Sequence, residues 1–548
     1  MTVVDAPVRL TSWPRRVGGR EPALRVAVVV AVVLLWALAA RLTAGTLVIP
    51  YPWDAVRQLI TDLPTLVQVN TPATLRTALW GLAAGAVVTI PLALLSLLSR
   101  TLENFILQVA VTVHAVPFIA LAPIVVVALP GETARITMAA LQVYFPLLVS
   151  TLLGLRAADE RALEVVRVSG GSRLDEVLRV RLPGAVPAML AGLQIAVPAA
   201  LIGALIAEFF GTDRGLGAFL VQAQSDLDAA RTWGTALYIT ALALAQFALL
   251  SWVSRRVRWS ANAATVSAVV DGAGRVRAGR WTVGGATVAA VAVLLAAWQS
   301  LRSVFHLSSF FVKTPEEVLD YLRSGGHVAV AFLVPTEAPS FWDTFLPGLG
   351  RTLTDAAGGF VLGTVGAAAV SLLFISSPGV ERALLPLLLG IRSVPLIALV
   401  PVFTLVIGRN AVSTTVLVTL ITFFPTLINV LAALRRVPHS ACDVVTVSGG
   451  SSAATTRLVR LFYALPAFVE SLRIAIPAAV AGATLAEWMS TGTGLGYMLT
   501  YAAERSDYLA LWSAGVLLSL VVLVLYWAAG LAGSLLLKGT GLDDGLRT

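Results

Sequence analysis

The residues able to do chemistry fall in three places. Between positions 156 and 183, six arginines alternate with Asp159, Glu160, Glu164, Asp175 and Glu176. Inside apolar runs lie His114, Gln194, Arg392 and Arg473, and near the ends of two such runs lie Glu208 and Glu487. Guanidinium groups present a planar fork of donors, so Arg392 and Arg473 could line a path for an oxyanion such as a sulfonate or nitrate. They could equally brace helices through backbone or Glu487 contacts, because ionisable groups in a membrane pair with one another as well as mark pathways. His114 reads most simply as a hydrogen-bonded core histidine, with a place on the path as the alternative. Glu208 and Glu487 are each followed within nine residues by Gly-Leu-Gly. Each could cap a re-entrant turn or gate a mouth.

Several chemistries are missing from the sequence. Cys442 is the single cysteine, which removes internal disulfides and multi-cysteine metal sites. No His, Cys and carboxylate cluster has metal-ligand spacing, so no metal site and no catalytic residue is expected. No Gly-x-x-x-x-Gly-Lys-Ser/Thr stretch occurs, so the chain has no P-loop of its own.

The elements that must carry these residues are membrane helices. Of 548 residues, 57% are hydrophobic and 13% charged, against about 25% charged in soluble domains. Apolar stretches of roughly 20 residues recur from end to end, the length that crosses a bilayer as a helix. Backbone groups in lipid must be satisfied within the segment, which leaves helices. Each half reads as six spans: 24–42, 77–98, 104–128, 134–155, 185–210 and 233–253, then 282–300, 353–375, 383–407, 412–434, 464–489 and 510–536. Pro117, Pro123, Pro395 and Pro401 are expected to kink them.

An internal repeat sets the architecture. Val168-Ser169-Gly170-Gly171-Ser172 returns as Val447-Ser448-Gly449-Gly450-Ser451, an offset of 279 residues that also pairs Pro187 with Pro466, Glu208 with Glu487 and Gly215 with Gly494. An even number of spans per half makes the repeat parallel, unlike the inverted repeats of many secondary transporters. The expected organisation is a first membrane domain at 1–254, a basic linker at 255–280 and a second membrane domain at 281–548. With the N-terminus in the cytoplasm, 25 basic residues fall inside and 12 outside, in accord with the positive-inside rule. Both termini are then cytoplasmic. This topology accounts for the net charge of +9 without nucleic acid. Residues 26–40, preceded by arginines and lacking a small-residue cleavage site, read as an uncleaved first span.

The loop at 156–183 reads as a helix-turn-helix with Gly170 and Gly171 as the turn. Glu164-Val165-Val166, Gly170 and Val180-Arg181-Leu182-Pro183 resemble the EAA signature of permease subunits of binding-protein-dependent ABC importers. The second half carries a variant, Asp443-Val444-Val445, Gly449-Gly450 and Val459-Arg460-Leu461-Phe462, with Asp for Glu and Phe462 for Pro183. Ser393-Val394-Pro395, Phe424-Pro425, Ala486-Glu487 and Gly494-Leu495-Gly496 look like the nitrate/sulfonate/taurine branch. The resemblance implies an all-α integral membrane fold of two tandem six-helix permease domains, about 12 spans, in the bacterial cytoplasmic membrane. It implies ATP-driven import, with both loops docking on two copies of a cytoplasmic ATPase subunit that binds ATP and Mg. A substrate-binding protein would dock outside, where segments 43–74 and 302–350 carry short helical patterns. Besides these proteins, membrane lipid is the expected partner. The solute would be a small anion such as nitrate, sulfonate or taurine, or a pyrimidine vitamin precursor.

Three rivals predict other patterns. An ion-coupled secondary transporter would show inverted repeats, an embedded enzyme paired carboxylates or histidines near one membrane face, and an exporter half a large nucleotide domain or long cytoplasmic helices.

Overall fold

The computed structural model describes residues 20–43, 49–129, 131–210, 212–256, 280–326, 339–392 and 396–539, so most of the linker expected at 255–280 lies outside the described residues, as does Pro395. Every regular element among the described residues is a helix. The first half runs α1 (Arg20–Leu42), α2 (Pro52–Thr65), α3 (Thr71–Leu95), α4 (Arg100–Ala115), α5 (Phe118–Ala128), α6 (Gly131–Arg156), α7 (Glu160–Val168), α8 (Arg173–Glu176), α9 (Leu182–Phe209), α10 (Leu216–Ser225) and α11 (Ala229–Arg256). The second repeats that order as α12 (Arg280–Val304), α13 (Pro315–Arg323), α14 (Phe341–Ser376), α15 (Pro378–Arg392), α16 (Leu396–Ile407), α17 (Ala411–Arg435), α18 (His439–Val447), α19 (Ser452–Thr455), α20 (Leu461–Ala486), α21 (Gly494–Glu504) and α22 (Tyr508–Gly539).

Eight helices among the described residues are long and apolar enough to cross a bilayer on their own. The third span of the first half is broken in two. Pro117 pushes Val116 out of the helical region, to φ −65° and ψ 128°, and α4 ends there. Pro123 stays inside α5. Residues 52–98 form one rod of 47 residues, where the sequence suggests an outer helix and a separate span. A π-turn at Leu66–Asn70 joins them without a break.

Each half is built on α3–α6–α9 or its counterpart α14–α17–α20, packed side against side. With no hydrophobic gain between helices in lipid, close packing of small residues must hold them. Gly81 and Gly85 of α3 sit against Ala139 and Val143 of α6, where an added Cβ would lie 2.3 and 2.8 Å from side-chain carbons. Gly359 and Gly363 of α14 repeat this against Val418 and Thr422 at 2.4 and 2.0 Å. Both pairs have the four-residue spacing that puts them on one helix face.

The first span of each half is held by tryptophan. Trp36 of α1 stacks on Trp233 of α11 at 4.8 Å, and Trp298 of α12 stacks on Trp512 of α22 at 5.6 Å. The halves interlock through the second pieces of their third spans: α5 packs on α20, α21 and α22, while α16 packs on α10 and α11. In addition, α12 lies along α4.

Valine at Gly81 or at Gly363 should force α3 from α6, or α14 from α17, and cost about 1–3 kcal/mol, the usual penalty of overpacking. Valine at Gly350, where nothing lies within 4 Å, should be nearly neutral. Thermal unfolding of the three variants in detergent checks the contrast.

Candidate elbows and the opposite seal

The segment between α6 and α9 is a compact elbow. Asp159 caps α7 by accepting a hydrogen bond from the Arg161 backbone at 3.0 Å. The helix ends where Gly170 adopts φ +78°, a left-handed conformation that glycine takes without a Cβ penalty. Gly171 then bonds back to the Val166 carbonyl at 2.9 Å. A Cβ there would meet Val166 Cγ1 at 2.4 Å, so the second glycine is required by space and the first by torsion. Ser172 and Asp175 form a reciprocal capping box that starts α8, and a π-turn at Val177–Arg181 leads into α9, with Pro183 in its first turn.

Arg167 closes the elbow. Its Nε and Nη2 donate to Glu176 Oε1 and Oε2 at 2.8 and 3.3 Å, a bidentate pair across the turn. The hydrogen bond and charge of Glu176 hold this guanidinium protonated more firmly than a free one, and Glu160 and Glu164 add to the effect. Glu164 itself is exposed. The elbow is tied to the bundle by Leu163, which is 1% exposed, and by Arg181, which donates to the Leu155 carbonyl at 3.1 Å.

The second elbow keeps the turn and loses the brace. Gly449 has φ +80°, Gly450 bonds to the Val445 carbonyl at 2.8 Å, and Ser451 caps α19. Thr446 and Thr455 stand where the offset would place Arg167 and Glu176, and Ala454 where it would place Asp175. Asp443 is exposed like Glu164.

At the opposite end each half contains a buried carboxylate clasp. Glu208 is 1% exposed, and its Oε2 accepts from the Gly217 backbone at 2.8 Å, while Thr74 accepts from the Leu216 backbone and Asn70 from that of Gly215. In the second half Glu487, 0% exposed, accepts from the Gly496 backbone at 2.9 Å and from the Thr352 hydroxyl at 2.8 Å, and Thr352 accepts from the Leu495 backbone. These bonds fasten the end of the fifth span to the start of α10 or α21. They need glycine at the turn. A Cβ on Gly215 or Gly494 would fall 2.3 or 2.2 Å from the carboxylate carbon.

Beside the clasps the halves meet. The Phe210 ring stacks on Trp488 at 4.3 Å, Phe209 tilts against it at 5.8 Å, and Gln224 donates to the Met489 carbonyl at 3.4 Å. This contact joins the ends of the two fifth spans across the interface.

Three of the four polar residues inside spans find a partner within their own half. His114 stacks on Phe145 at 4.0 Å within its own half. Gln194 donates to Ser254 at 2.7 Å, tying α9 to α11. Arg473 lies over the Tyr526 ring at 4.2 Å, with Trp527 at 5.7 Å and Glu470 at 4.0 Å, tying α20 to α22. Its partners are these, while Glu487 bonds elsewhere. Arg392 ends α15, and its side chain lies outside the described residues. Thr74, Thr352 and the Phe209–Phe210–Trp488 cluster escape a reading of motifs. The threonines recur at an offset of 278, and the aromatic residues directly follow the two glutamates, which are the signals that could have found them.

Glu487→Ala should orphan the Gly496 N–H and cost about 1–3 kcal/mol, with Glu487→Gln milder because one acceptor remains. Gly494→Ala should be worse than Gly492→Ala, whose Cβ would meet nothing within 4 Å. Melting temperatures of the four purified variants check the order.

Comparison with known proteins agrees with this geometry. The family described as "Binding-protein-dependent transport system inner membrane component" matches twice, over residues 65–259 and 359–537. A probable ABC transporter permease protein of Haemophilus influenzae is 31% identical over 41% of this chain and 93% of its own length. The formylaminopyrimidine transport permease protein ThiX of Halalkalibacterium halodurans is 29% identical, over 40% of this chain and 87% of its own length. The taurine transport system permease protein TauC of Escherichia coli is 26% identical, over 35% and 72%. Such subunits are the membrane-embedded, non-enzymatic part of importers, and ATP is hydrolysed on a separate subunit. The chain belongs to the family of binding-protein-dependent transport system inner membrane components and carries the family's domain twice in one polypeptide.

Proposed function

We propose that this permease subunit encloses one solute path between its halves and takes its drive from two ATPase subunits, one at each elbow. In this reading the elbows and both termini are cytoplasmic, residues 255–280 link domains 1–254 and 281–548, and a solute-bearing protein docks at the sealed end. The observation that carries it is the elbow itself: a short helix ended by a turn at Gly170 and Gly171, or at Gly449 and Gly450, with apolar and charged side chains exposed. Such a polar, reversible surface suits docking of a separate motor that binds ATP and Mg. The Phe209–Phe210–Trp488 seal supports an alternating cycle, in which solute enters when the fifth spans part and leaves toward the elbows when they close.

For the solute, two classes have support. A small anion such as a sulfonate, taurine or nitrate is favoured by Arg473 and Arg392, though the Arg473 guanidinium is already engaged by Tyr526. A planar pyrimidine vitamin precursor is favoured by the aromatic faces of Phe209, Phe210 and Trp488, which can stack a flat ring. Uptake by proteoliposomes holding the permease, its ATPase and its binding protein, with taurine and pyrimidines as competitors, separates the two.

Gly170→Pro removes the N–H bonded to Arg167 and forbids positive φ; it should abolish ATP-driven uptake while membrane insertion stays normal. Normal uptake would exclude the coupling role. In a Cys442→Ser background, oxidative cross-linking of Phe210→Cys to Trp488→Cys should stop uptake, and reductant should restore it. Uptake unaffected by a complete cross-link would exclude the seal as a gate.

A further inference from the structure

The two elbows share a turn and differ in the face they present, which bears on how the motor is held. On α7 the anchor Leu163 points into the bundle. At 3.6 residues per turn Val165 lies about 200° and Val168 about 140° around the helix from it. Both are exposed, Val168 at 89%. The valines therefore point away from the bundle. Past the turn, Leu174 and Leu178, four residues apart, are exposed as well. These four are the large apolar side chains that the elbow exposes, a ridge in sequence amid residues otherwise rich in charge. The ridge is stiffened from behind by the Arg167–Glu176 pair and the Ser172–Asp175 capping box.

The second elbow retains part of this. Val444 and the 88%-exposed Val447 match Val165 and Val168. At the offset of 279, however, Ala453 and Arg457 replace Leu174 and Leu178, and Cys442 replaces the anchor Leu163. Cys442 is only half-buried, and α18 holds no buried residue. The Arg–Glu pair is absent because Thr446 and Thr455 stand in its place. Leu458, 60% exposed, directly follows Arg457 and stands where the offset would place Arg179, so this elbow shows one leucine, shifted by one position. Leu461, Phe462 and Tyr463, also exposed, sit at the root of α20, where aromatic residues suit the membrane–water interface.

We propose that the two elbows hold the ATPase subunits unequally: the first is the principal docking site, through Val165, Val168, Leu174 and Leu178 on a braced turn, and the second is a weaker site resting on Val444, Val447 and Leu458 on an unbraced one. This rests on the coupling role proposed above. The occupant is the ATPase subunit of the coupling role, since among the described residues no side chain covers these four. Interface energy concentrates in a few buried apolar side chains, so the loss of a leucine at Ala453, the one-position shift of the other to Leu458 and the loss of the rigid support weaken the second site.

The test uses matched substitutions at two equally exposed positions, Val168→Asp and Val447→Asp, in the full chain purified with its co-expressed ATPase subunit. Val168→Asp should weaken ATPase binding at least tenfold and Val447→Asp threefold or less. A reciprocal pair gives the opposite signs. Leu174→Ala with Leu178→Arg should weaken binding, and Ala453→Leu with Arg457→Leu should strengthen it. Equal losses at Val168 and Val447, or a larger loss at Val447, overturn the inequality and leave both elbows as docking sites. Unchanged ATPase binding in all variants overturns the coupling role itself. A Val168→Asp variant that keeps its ATPase but loses affinity for lipid vesicles assigns the ridge to the membrane surface and overturns the proposal.

Discussion

A bilayer core offers a backbone N–H no water to bond with, and that single constraint shapes the rest of this protein. It makes every described element a helix, and it removes the hydrophobic gain that packs helices in water. Contact must then come from close approach. The pairs Gly81–Gly85 and Gly359–Gly363 meet that need in the two halves at the same spacing, and the α3–α6–α9 and α14–α17–α20 cores follow from them. Polar groups inside the membrane face the same rule. Gln194 finds Ser254, Arg473 finds Tyr526, and the buried glutamates find backbone N–H groups and a threonine.

Much of this was legible in the sequence because it is periodic or local. Span length, the 279-residue offset and the Gly-Gly turns depend on residue types near in sequence, and Gly170 and Gly449 take the left-handed torsion the turn requires. The break at Val116 was half legible. Pro117 announces a disturbance, yet whether a proline kinks or ends a helix depends on its neighbours, and Pro123 is accommodated within α5. The join of α2 to α3 was masked by a polar stretch that continues as helix through a π-turn.

The partners of the charged and aromatic side chains were not legible, for a physical reason. Arg473 carries a charge that must be compensated, but which of an acid, a carbonyl or a ring supplies the compensation depends on what α22 brings alongside. Tyr526 does so from more than 50 residues away. The Phe210–Trp488 stack joins residues of different halves, and no local pattern records it. The two elbows show the reverse case, since sequence differences at Arg167 and Glu176 become an interpretable loss of bracing only once the distance across the turn is known.

The exchange of α5 and α16 between halves has a wider consequence. Each domain completes its own packing with a helix lent by the other, as the arms of two people linked at the elbow do. A protease cut in the connecting stretch would thus sever the polypeptide without parting the particle. Joining the pair in one gene fixes a one-to-one dose of unlike partners and lets each drift toward its own specialisation, since neither is ever asked to assemble with a twin.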